Sequence, residues 1–123
     1  MAIRIKRAYE QAVPADGIRV LVDRLWPRGV SKARAKFTFW MKEIAPSPKL
    51  RVWFGHKPQR FEQFAGRYKK ELIGNPRVAE LRSLARGRTV TLVYAARDPE
   101  VNHAVVLQSV LRRRSSSRSA ARD

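Results

Sequence analysis

The chain has 123 residues, 44% of them hydrophobic, and 27 Lys and Arg against 10 Asp and Glu give it a net charge of +17. That length suits one hydrophobic core rather than two domains, and the absence of cysteine excludes a disulfide framework, a thiol nucleophile and a Cys-based zinc site. No run approaches the roughly 18 apolar residues of a membrane span, and MAIRIKRAYE lacks the apolar stretch of a secretory signal, so a cytoplasmic protein without a membrane role is expected.

Along the chain, residues 2–6 (AIRIK) alternate apolar and polar as a half-buried strand does. AVPADG at 12–17 carries Pro14 and Asp16-Gly17 and reads as a turn. RVLVD at 19–23 is a short β-rich run expected as a central strand. Ser31 can N-cap a short helix over 32–36. In APSPKLRVWFG, Ser47 is the expected N-cap, Pro48 the first helical residue and Gly55 the stop. Phe61, Phe64, Tyr68 and Leu72 recur at helical spacing as far as Gly74. Val78, Leu81 and Leu84 do the same over 76–87, with Gly87 closing the helix. TVTLVYA at 89–95 is nearly all β-branched or aromatic and is the strongest strand in the chain. A last helix is expected with Asp98 as N-cap and Pro99 at its first position. The end, RRRSSSRSAARD at 112–123, has no apolar periodicity and reads as a disordered tail.

Two strong strands separated by helices favour parallel pairing through a right-handed crossover. The expected fold class is α/β: a small single-domain layered fold over residues 1–111, with a short, mainly parallel sheet flanked by helices, followed by the tail at 112–123. In open α/β sheets ligands bind beyond the carboxyl ends of the strands. DRLWPRG follows one such end and YAARDPEVNH the other, so both charged segments should meet at one rim.

RVLVDRLWPRGVSK, WMKEIAPSPKLRVWFGHKP, FAGRYKKEL and TLVYAARDPEVNHAVVL occur in that order. With these strings the chain resembles the YeaO-like family, domain of unknown function 488, from about residue 3 to residue 111. The resemblance implies a compact bacterial or archaeal α/β domain and assigns it no activity. Two positions depart from the family's pattern, Lys57 in GHKP and Thr38 in FTFWMKE, where Asp is usual. Both read as helix N-caps. Thr38 still caps, less well, whereas Lys57 cannot accept the capping bond and its charge opposes the helix dipole, a cost of about 1 kcal/mol. If the family's Asp residues are catalytic instead, their loss impairs activity here.

The candidate site gathers at the rim. Asp23 ends a buried strand and needs a partner, for which Arg24 and Arg28 are the local choices; its role is general base, Arg-orienter or holder of the Trp26-Pro27 turn. Arg24, Arg28 and Arg97 form a possible anion clamp, because guanidinium forks match phosphate and carboxylate geometry. Arg28 stands out, since it precedes Gly29 and a helix start where backbone N–H groups also favour anions. Gly29 serves the tight turn. His56 and His103 are the only histidines and the natural acid–base groups near neutral pH, against readings as a helix C-cap and a core histidine. Tyr94 can reach the rim with its hydroxyl or stay in the core, Asn102 can contact a ligand or a loop, and Trp26 can stack on a planar ligand. The other aromatics read as core. No tight metal-ligand spacing and no cofactor motif occur, so neither metal nor cofactor is expected.

Two functions compete, besides a homodimeric interaction module. Catalytic residues Asp23, His56 and His103, with ligand-binding residues Arg24, Trp26, Arg28, Gly29, Tyr94, Arg97 and Asn102, fit binding or transformation of a small anionic ligand. The net charge and Arg-rich tail fit nonspecific nucleic-acid binding, although no recognised nucleic-acid-binding motif occurs.

Overall fold

The computed structural model describes residues 2–113. Its sheet contains β1 (Ala2–Arg7), β2 (Ile18–Leu21), β3 (Phe39–Trp40) and β4 (Thr89–Tyr94) in the order β1-β4-β2-β3, every pair parallel. The helices are α1 (Lys32–Ala35), α2 (Pro48–Phe54), α3 (Phe61–Ile73), α4 (Pro76–Leu84) and α5 (His103–Arg112). The expected α/β layer with a parallel sheet is what the chain forms. The tail expected over 112–123 begins inside α5, and residues 114–123 lie outside the described residues.

β4 sits between β1 and β2, which explains its composition: Val90, Leu92 and Tyr94 join one core, while the alternate side chains Thr91 and Val93 are equally buried toward the other face. β2 is interior too, with Val20 and Leu21 fully buried. β3 forms the far edge and is only two residues long, which limits edge-to-edge pairing with another chain. Its brevity also hides it from any pattern of alternation. Phe39 and Trp40 remain 44% and 37% exposed, so Trp40 is not the core residue its type suggests.

Phe54 of α2 stacks on Phe64 of α3 at 4.2 Å, and Phe64 stacks on Tyr68 at 5.8 Å. The Tyr68 hydroxyl, wholly buried, donates to the Ile44 carbonyl at 2.6 Å. Caps fix the helix starts: Ser47 accepts from Leu50 N–H, Asn75 from Arg77 N–H and Ser31 from Arg34 N–H.

The last helix corrects the sequence reading. It begins at His103 with Asn102 as N-cap, accepting from Val105 N–H at 3.0 Å. Asp98 instead closes a separate turn by accepting from the N–H groups of Glu100 and Val101. The Asp-Pro pair looks like a helix start because both turn and cap use the same side-chain acceptor. α4 likewise stops at Leu84, ahead of Gly87.

Below the sheet, Asp16 is buried and holds Arg19 Nη1 at 2.7 Å and Lys6 Nζ at 3.1 Å. The neighbouring Gly17 has φ +65°, and a Cβ there would lie 2.3 Å from the Thr89 carbonyl oxygen. This knot fixes the turn that delivers β2 beside β4. The register then aligns Leu21 with Val93 and Trp40, and Val93 with Lys6, so the carboxyl ends of all four strands share one rim.

Candidate functional site

A cavity of about 270 Å³ opens at that rim. Its lining comes from the segment after β2 (Asp23, Arg24, Leu25, Trp26, Pro27, Arg28), Ala45-Pro46, α2 and its end (Arg51, Phe54, His56), Phe64 of α3, Ala95-Ala96 after β4, and Asn102-His103 at the start of α5. The two charged segments expected to meet do so here.

Asp23 joins the ends of β2 and β4: its Oδ2 accepts from Ala95 N–H at 2.9 Å, and its carbonyl accepts from Trp40 Nε1–H at 2.8 Å. Its Oδ1 lies 3.0 Å from His103 Nε2, which also lies 3.0 Å from the Val22 carbonyl oxygen. The partner of Asp23 is therefore His103 rather than Arg24 or Arg28, a correction that sequence proximity could not supply. Both groups facing Nε2 are acceptors, so Nε2 carries the proton and Nδ1 is the ring's free lone pair in the neutral state. The Tyr68 ring meets His103 edge-on at 6.2 Å. Burial, and then the charges of Glu71 and Asp23, push the Tyr68 phenol far up, so it stays a neutral donor.

The cations divide by depth. Arg24 is half-buried and donates through Nη2 to the Pro46 carbonyl at 3.2 Å. Arg28 and Arg51 are exposed on the cavity's lining, and neither guanidinium has a hydrogen-bond or ion-pair partner among the described residues. His56 stands beside them in the left-handed region at φ 58°, its ring 6.0 Å from Phe54. Trp26 forms part of the wall. Its Nε1–H donates to the Val30 carbonyl at 2.6 Å, while Phe37 and Trp40 hold the ring edge-on at 5.2 and 5.5 Å.

Three further candidates lie elsewhere. Gly29, at φ +80°, serves the turn and borders a neighbouring groove. Tyr94 is buried outside the cavity lining, its phenol raised by burial and by Glu10, against the opposing effects of Arg7 and a bond with Asn102. Arg97 is exposed outside the lining. Asn102 does line the cavity, but its amide is engaged at both ends, by Val105 N–H and by the Asp98 carbonyl. Among the described residues no three His, Asp or Glu side chains converge as a metal site would require.

Sequence reasoning missed Arg51, Phe54 and Phe64 as lining residues. A signal for Arg51 existed, since it lies one turn before the Gly55-His56 helix end. Of the two departures from the family pattern, Lys57 does occupy an N-cap position, before the short turn Pro58–Arg60, and makes no side-chain cap there. Thr38 caps no helix: its Oγ1 accepts from Arg19 N–H at 3.1 Å and anchors β3 to β2.

The model for the inactive DUF488-N3 subclade matches residues 2–123. An uncharacterized protein of Mycobacterium tuberculosis is 46% identical over 109 residues, covering 89% of this chain and 92% of its own. The uncharacterized protein YeaO of Escherichia coli is 40% identical over 113 residues, covering 91% of this chain and 98% of its own. No solved structure matches the chain. The family match through the whole described length shows the kinship: the chain belongs to the YeaO-like DUF488 family, and the model it matches is the one described as the inactive DUF488-N3 subclade.

Proposed function

We propose that the protein binds a small anionic ligand in the cavity at the carboxyl ends of β2 and β4, and that it binds without turning the ligand over. The observation that carries this reading is the pair Arg28 and Arg51, two exposed guanidiniums without protein partners on the lining of one concave site. The volume, about 270 Å³, lies just below the roughly 300–1,000 Å³ usual for ligand pockets, which suits a ligand of one ring or fewer. Among the lining residues there is no Ser, Thr, Cys, Lys or Tyr to act as a nucleophile beside the Asp23–His103 pair. That, together with the subclade's description as inactive, favours binding over covalent catalysis.

The test is calorimetric titration of the full-length protein with inorganic phosphate and with benzoate. Arg28→Ala and Arg51→Ala should each weaken the binding of at least one probe roughly fivefold to tenfold, whereas Arg86→Ala, outside the cavity, should not. Equal binding by all three variants, or no binding by the parent, refutes the assignment. Binding to nucleic acid through net charge alone would instead disappear as salt is raised and would ignore these two positions.

A further inference from the structure

We propose that the ligand is an aromatic carboxylate or phosphate monoester that carries a hydroxyl or amino donor opposite its anion, and that His103 Nδ1 accepts from that donor. This rests on the anion-binding reading above and adds which way the ligand lies.

The cavity has two chemically different ends. Arg28, Arg51 and His56 are exposed at its mouth, whereas the side chains of Asp23 and His103 are only 16% and 15% exposed. An anion driven inward would approach the Asp23 carboxylate, so the anion belongs outside, with the guanidiniums. Trp26, Phe54 and Phe64 supply apolar wall between the ends, which suits a ring.

At the inner end the available chemistry is narrow. Asp23 Oδ2 is taken by Ala95 N–H, and Oδ1 is closed to solvent beside His103 Nε2. The Tyr68 hydroxyl is committed to Ile44; Arg24 turns Nη2 to Pro46, and its Nε, though without a hydrogen-bond partner, is closed to solvent. Nε2 faces two acceptors and must carry the ring proton. What remains for a ligand is Nδ1, an acceptor, and an acceptor selects a donor. Charged and titratable groups around His103 are Asp23 after β2, Tyr68 on α3, and Arg24, Arg28, Arg51 and His56 along the cavity.

The experiment compares 4-hydroxybenzoate with 4-fluorobenzoate, similar in size but without the donor, in titrations of the full-length protein. All titrations are run at a single pH of about 8. The hydroxyl compound should bind roughly fivefold to tenfold more tightly. His103→Gln should remove the preference, and His56→Gln should keep it. Should His103→Gln fail to fold, the ring ¹⁵N signals of His103 in the wild type decide the point: Nδ1 should shift with 4-hydroxybenzoate and not with 4-fluorobenzoate. Arg28-dependent binding of both compounds without preference overturns the inference and leaves the anion-binding reading standing. No binding of either compound overturns the aromatic class, while phosphate still tests the anion reading. A preference that ignores His103 also overturns it.

Discussion

His103 Nε2 and Asp23 Oδ1 lie 3.0 Å apart, and this pair joins the start of α5 to the end of β2 at the floor of the cavity. Asp23 also accepts from Ala95 N–H, so one carboxylate ties two strand ends and one helix start. Its Oδ2 is occupied by Ala95 N–H, whereas Oδ1 is buried beside His103 Nε2 without a hydrogen bond of its own.

Replacing Asp23 should therefore destabilise the fold as well as affect binding. Asp23→Ala leaves Ala95 N–H without its acceptor and should cost about 1–3 kcal/mol. Asp23→Asn retains a carbonyl acceptor and should cost less. Urea unfolding of the two variants checks the order, and equal losses would contradict the hydrogen-bonding role.

Asn102 and Asp98 should separate in the same assay. Asn102→Ala removes the N-cap of α5 and a bond to the Asp98 carbonyl, so a loss of about 1–2 kcal/mol is expected. Asp98→Ala disturbs an exposed turn and should cost less than Asn102→Ala. The reverse order would restore Asp98 as the true cap.

Acid should act through Asp16. Burial works to raise its carboxyl, but hydrogen bonds from Val13 N–H, Lys6 and Arg19 outweigh it and hold the group below its ordinary value. A depressed native value adds stability above the unfolded value near ~3.9, and that stability is lost as pH falls through the native value. Melting temperature should fall in that acid range, less steeply for Asp16→Asn. At neutral pH Asp16→Ala leaves Arg19 buried and should cost about 3 kcal/mol.

Gly17 and Gly29 both have positive φ yet should respond differently. Alanine at 17 would place Cβ 2.3 Å from the Thr89 carbonyl oxygen, whereas at 29 nothing lies within 4 Å. Gly29→Ala should cost about 1 kcal/mol from backbone strain alone, and Gly17→Ala at least ~3 kcal/mol, with thermal unfolding as the readout.

Much of this was legible in the chain because the relevant signals are local. TVTLVYA announces a strand buried on both faces, and Ser47-Pro48 with Gly55 marks both ends of α2. The rim, too, follows from strand direction once two strands are parallel neighbours. What escaped depends on partners remote in sequence. Nothing near Asp23 indicates His103, and its charged neighbours Arg24 and Arg28 point to the wrong partners. β3 is held by Thr38 and Trp40 bonding across to Arg19 and Asp23 rather than by its own short pattern. Arg51 enters the site only because α2 ends there.

The most direct test is amide chemical-shift mapping of the full-length protein titrated with benzoate. Saturable shifts confined to residues 23–28, 51–56 and 95–103, and weakened by Arg28→Ala and Arg51→Ala, are the expected result. Shifts scattered over the basic surface and erased by moderate salt, or no shifts at all, would contradict an anion site in this cavity.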